Sequence, residues 1–269
     1  KISNPNDRTV LQLSLDRLFQ WSNTWQLPLS PEKCIFLQIG YFDPTISYFL
    51  GPHKLQPASS CIDLGIHMLS SLKSSFHCAQ IVSKANNRAR LILKCFVSRT
   101  PANYIRAFKS YVRPLLEYAS PVWNPLLVKD INLIENVQRT FTRNVCALCN
   151  LPARSYDERC ALFDLDRLEL RRLHCDLFEM FKIVKRYTVS DLFNCLSFNR
   201  NTTNHNTRGH CFKLNVTLCH RNVFKSFFTN RIVNIWNNLH NDCFSSDLIA
   251  NFKSKILMTD FTNSLRGRL

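Results

Sequence analysis

Glycine is scarce, with five in 269 residues. A chain so poor in it has few places for tight backbone approach. No glycine-rich phosphate loop, nucleophile elbow or metalloprotease pattern is present, which removes the chemistries that depend on them. Long apolar runs are missing too: none approaches the roughly 20 residues a bilayer-spanning helix requires. Acidic residues are few, 19 against 35 Lys and Arg, which leaves a net charge of +16 and a pI of about 9.6. Two adjacent aspartates occur nowhere.

What is there points to a folded, mostly helical polypeptide. Hydrophobic residues make up 45% of the chain, enough for one or two cores. The basic excess favours a polyanionic partner, nucleic acid first and a membrane surface second. It is unevenly placed: residues 1–70 carry 5 basic and 5 acidic groups, residues 71–190 carry 20 and 10, and residues 191–269 carry 10 and 4. Twelve cysteines without a signal-peptide pattern read as reduced core thiols. Cys146-Ala-Leu-Cys149 has no second pair at zinc-motif spacing, so no metal site is assigned. A start at Lys1 rather than methionine suggests a fragment or a processed chain.

In chain order, residues 9–25 read as an amphipathic helix with Leu11, Leu15, Leu18, Phe19 and Trp25 on one face, capped by Asn4 or Asp7. Short extended runs follow at Cys34–Ile39, read as a buried strand, at Ile46–Leu50 and at Cys61–His67, together a small sheet or hairpin. From Phe76 to Val97 a helical pattern sets Lys84, Arg88, Arg90 and Lys94 off its apolar positions. The stretch Tyr104–Val145 then reads as two packed helices about a Pro121/Pro125 corner. The first is kinked or ended near Val112 by Pro114, and Arg113, Arg139 and Arg143 stand outside. A long helix starts near Asp166, with Asp166 and Glu169 compatible with a capping box, and buries Leu170, Leu173, Leu177, Met180, Phe181 and Val184. Asn201–Asn206 reads as a flexible loop. A last aromatic helix buries Phe224, Phe227, Phe228, Ile232 and Ile235 with Trp236 beside it. Spacing alone leaves open whether the basic faces are solvated or face phosphates.

Several segments in a fixed order carry a resemblance: WSNTWQLPLSPEKCIFLQIG, CIDLGIHM, YVRPLLEYASPVWNP, IENVQRTFTR, LDRLELRRLHCDLFEMFKIV, and TRGH followed by FFTNRIVNIWNNL. In that order the chain resembles the region after the catalytic motif in reverse transcriptases of non-LTR (LINE-type) retrotransposons, especially the jockey and CR1-like groups. The resemblance implies a mainly α fold: a small α/β remnant of a polymerase palm at 1–70, a basic helical thumb-like region at 71–190, and a loop with a C-terminal helical region at 191–269. It implies that Lys33 lies near the incoming nucleotide and Leu64 with Gly65 near the primer terminus. Lys84, Arg88, Arg113, Arg139 and Arg143 would hold the RNA and DNA of a template–primer duplex. The parent activity is RNA-directed DNA synthesis, a nucleotidyl transfer for which the intact enzyme needs Mg2+. The paired aspartates of that chemistry are absent here, so binding, not catalysis, is expected of this chain alone.

Two positions depart from the family pattern, Leu69 where an aspartate is common and His240 where a proline usually follows the last leucine. The alternatives are a non-catalytic helical protein of retroelement origin that binds nucleic acid or protein, and a remnant without function. An intracellular setting is expected, and basicity fits nuclear nucleic acid without being an import signal.

Overall fold

The computed structural model describes residues 2, 4–40, 43, 45–188, 191–198, 209–219 and 222–267. They fall into two compact units, Lys1–Ser74 and Ser75–Leu269. The chain is mainly helical, and most of its helices lie in the second unit.

The first unit opens with α1 (Pro5–Thr24). Asn4 accepts the Asp7 N–H at 2.9 Å and the Asp7 carboxylate accepts the Asn4 N–H at 3.1 Å, so both expected capping residues act in one reciprocal box. Of the expected apolar face, Leu15 and Phe19 pack on a core of Tyr48, Leu50 and Leu55. Leu11, Leu18 and Trp25 stay exposed, because strands of two to four residues cover only a narrow stripe of the helix. Next come β1 (Ile35–Leu37), the hairpin β2 (Phe49–Leu50) and β3 (His53–Lys54), and then β4 (Gln56–Ala58), which pairs parallel with β1. Ile35 and Ile39 are exposed, so the Cys34–Ile39 run is not the buried strand its composition suggested; a two-stranded sheet shields little of either face. Gly51 is required between β2 and β3: its φ is +59°, and a Cβ there would meet the Phe19 ring at 2.5 Å. The strands β5 (Ser60–Asp63) and β6 (Ile66–Leu69) form an antiparallel hairpin turned by Leu64 and Gly65, at φ +45° and +84°. The run expected to extend through Cys61–His67 is therefore folded back on itself.

The second unit begins with α2 (Ser75–Cys95), followed by α3 (Pro101–Ala107). A π turn at Phe108–Val112 carries the chain directly into α4 (Arg113–Glu117), and the Arg113 N–H donates to the Phe108 carbonyl. Pro114 thus does not end the helix near Val112, one of the two expected outcomes; the regular α-helix gives way to a wider turn just before it, which moves aside the carbonyl its ring would crowd. The corner holds α5 (Ser120–Trp123), entered through Ala119 at φ +49°. Then come α6 (Val128–Leu148), α7 (Tyr156–Leu162) and α8 (Leu168–Val184).

Further along, α9 (Asn222–Ser226), α10 (Phe228–Asn237) and α11 (Ile249–Met258) complete the helices. Leu177, Met180 and Phe181 of α8 share one core with Ile232 and Trp236 of α10 and Phe252 of α11, the Phe181 and Phe252 rings stacking at 4.1 Å. The C-terminal helices therefore pack on α8 within the same unit. Phe224 and Phe227 are exposed, contrary to expectation, because the helix breaks at Phe227 and turns the preceding residues away from the core. Trp236 is fully buried in their place. The Asn201–Asn206 loop lies outside the described residues. Among the described residues no helix is long and apolar enough to cross a membrane.

Candidate nucleic-acid interface

The polar residues of α6 divide by role. On the inner side the Glu135 carboxylate accepts the backbone N–H groups of Leu168 and Glu169, each at 3.2 Å, and the Tyr156 hydroxyl. A buried carboxylate from one helix thus caps the start of another, where free N–H groups and the helix dipole favour negative charge. That work was expected of Asp166 with Glu169. Instead the residue before α8 makes no side-chain cap, and Glu169 accepts the N–H groups of Arg266 and Gly267 at 2.7 and 2.9 Å.

Gln138 donates to the Tyr156 hydroxyl and to the Asp166 carbonyl, both at 2.9 Å, and Thr142 accepts Arg159 Nε at 3.2 Å. Burial, reinforced by the Glu135 carboxylate, pushes the Tyr156 phenol above its ordinary range, so it stays a donor. The polar residues of IENVQRTFT are therefore mostly a structural joint between α6, α7 and α8.

Toward the rim of this joint stand Arg139 and Arg143, one turn apart; Arg139 is half-buried and so does not stand fully outside as expected. The Arg139 guanidinium lies 4.9 Å from the centre of the Tyr156 ring and donates to Asn136 Oδ1 at 3.4 Å. The ring beneath it is fixed by Glu135 and Gln138, so the inner network holds the outer charge in place. Arg143 is exposed beside it. Asn136 also lines a groove of about 240 Å³ between α2 and α6, with Asn86 and Arg90 from α2 and Thr140 and Asn144 from α6.

The remaining expected residues are placed differently. Lys84 and Arg88 are exposed on α2, and Arg88 donates to the Tyr111 carbonyl at 3.4 Å, toward the π turn and away from the groove. Arg90, not Arg88, is the α2 arginine in the groove shared with Asn136. Arg113 does not stand outside: it is half-buried, 3.9 Å from Glu117, which is also gripped by both sides of the Arg171 fork. Burial, with Arg171 close by, lowers the Arg113 guanidinium from its ordinary value. In the first unit Lys33 is exposed at the end of the 3-10 turn Pro31–Lys33, and Leu64 stands 81% exposed beside Gly65 at the hairpin tip.

A buried ion pair joins three of the segments that carry the resemblance. Arg231 of α10 grips Asp176 of α8 at 3.0 and 2.8 Å and donates to the Pro121 carbonyl at 2.6 Å. Asn124 donates to Asp176 at 2.8 Å and accepts Arg172 Nε at 3.1 Å. The Pro-rich corner, α8 and α10 are locked together by charge-assisted bonds in a site shielded from water.

The groove was missed in the sequence although a signal existed: Asn136, Thr140 and Asn144 recur at steps of four, as do Asn86 and Arg90. Attention to cations passed over these neutral side chains.

No protein-family profile matches the chain, and no solved structure matches it. It is similar to an uncharacterized protein of Caenorhabditis elegans, B0403.1, with 30% identity over 111 residues, 41% of this chain and 56% of that protein. The chain thus spans about half the length of this curated relative.

Proposed function

We propose that this protein binds a template–primer duplex of RNA and DNA through the outer face of α6 and its groove with α2. In this reading it is the C-terminal portion of a LINE-type retrotransposon reverse transcriptase, with the first unit a remnant of the polymerase palm and the second a thumb-like region. The observation that carries the reading is Arg139 held on the Tyr156 ring, with the exposed Arg143 one turn on, next to a groove of mixed polar and apolar lining that contains Arg90.

Guanidinium groups suit phosphate oxygens and release counterions on binding, without reading base sequence. The role is positioning: the chain contains no adjacent aspartate pair, and bond making with Mg2+ belongs to the parent polymerase. Lys33, Leu64 and Gly65 would serve the nucleotide and primer end in that parent. Binding of the full chain to a labelled RNA–DNA duplex over a salt series tests the proposal. Affinity that falls linearly with the logarithm of salt supports it, and no binding at low salt contradicts it.

A non-catalytic protein-binding role is the second reading. What favours it is the exposed apolar surface of α1, where Val10, Leu13, Trp21 and Trp25 lie open in a unit with 6 basic and 5 acidic groups.

A further inference from the structure

The groove between α2 and α6 differs in chemistry from the arginines that flank it. Asn86, Thr140 and Asn144 line it above an apolar floor of Val82, Ala89, Val137 and Phe141, and among the described residues the three polar side chains make no hydrogen bond. Each can both donate and accept, which Lys and Arg cannot. Phosphates are the same in RNA and DNA strands, so the arginines alone give no means of telling them apart. The group that does differ is the ribose 2′-hydroxyl, itself a donor and an acceptor.

We propose that Asn86, Thr140 and Asn144 read the 2′-hydroxyls of an RNA strand laid along this groove while Arg90, Arg139 and Arg143 hold its phosphates. The inference rests on the duplex binding proposed above and adds to it the residues that set strand preference. Asn136 is left to orient Arg139, the group it already accepts from. The three reading side chains come from two helices that pack on each other, so their spacing is set by the α2–α6 contact rather than by a loop.

The test compares the full chain on an RNA–DNA hybrid and on a DNA duplex of the same sequence, at matched salt. Wild type should prefer the hybrid by about tenfold, the scale of two or three net hydrogen bonds. Asn86→Ala/Thr140→Val/Asn144→Ala should bring the two affinities to within about twofold while leaving the salt slope unchanged. Thr140→Val alone should lose part of the preference and Thr140→Ser should keep it, which secures the result if the triple variant folds poorly. Equal binding of both duplexes by wild type, or a preference that survives in the variants, overturns this inference and leaves duplex binding standing. Failure of wild type to bind either duplex removes the proposed function and this inference with it.

Discussion

His210 shows how one side chain can couple this fold to pH. Its ring stacks on Phe244 at 4.1 Å, Nε2 lies 2.9 Å from the Trp236 carbonyl, and Nδ1 accepts the Phe212 N–H at 3.2 Å. That pattern requires the neutral ring protonated on Nε2. Burial pushes the imidazole below its ordinary value of 6.5, against the pull of the Trp236 carbonyl, with Lys213 adding to the lowering. Because the folded value is depressed, the unfolded chain binds the proton more readily. The stabilisation is complete above about pH 6.5 and is lost as pH falls toward the lowered folded value. His174, buried near Phe178 and Phe261, is shifted in the same direction, chiefly by burial. Urea midpoints at pH 7.5 and 5.5 should differ less in His210→Asn than in wild type; an unchanged difference would contradict this role.

Among the elements, the long periodic helices were the most legible. The apolar positions of α2, α6 and α8 repeat at steps of three and four over 21, 21 and 17 residues, long enough for the period to identify them. Short elements were harder to read. The π turn before Pro114 has no periodic signature of its own, and the β5–β6 turn was hidden inside an apolar run. Long-range partners left no trace in spacing either: Glu135 caps α8 from 33 residues away, and Glu117 holds Arg171 from 54 away. The candidate site was therefore half visible, its outward arginines from helical spacing but not the amide-lined groove, which exists only when α2 meets α6. The β5–β6 hairpin also carries a local cost. Leu64 adopts a left-handed conformation with an exposed side chain that gains little from packing. Asn-Gly suits such a two-residue turn, so Leu64→Asn should raise unfolding free energy by about 0.5–1 kcal/mol in urea titration. A loss of stability would show that Leu64 makes a contact worth more than its strain.

For the molecule as a whole, the chain is mainly helical and gathers its distant segments through buried polar joints as well as apolar packing. The Asp176–Arg231 pair ties the Pro-rich corner to α8 and α10, and both side chains are almost wholly buried. Removing one partner strands the other charge, so Arg231→Ala should cost about 3–5 kcal/mol in chemical denaturation, and a loss below about 1 kcal/mol would contradict the role assigned to the pair.

The central claim concerns a particular surface, and net charge alone gives any basic protein some affinity for nucleic acid. The direct measurement is the salt dependence of binding to an RNA–DNA duplex for wild type, for Arg139→Ala/Arg143→Ala, and for Lys253→Ala/Lys255→Ala. The last removes the same charge from the exposed face of α11. The arginine variant should bind more weakly and lose about two units of salt slope, while the lysine variant stays near wild type. Equal losses in the two variants, or no duplex binding by wild type at low salt, would contradict it.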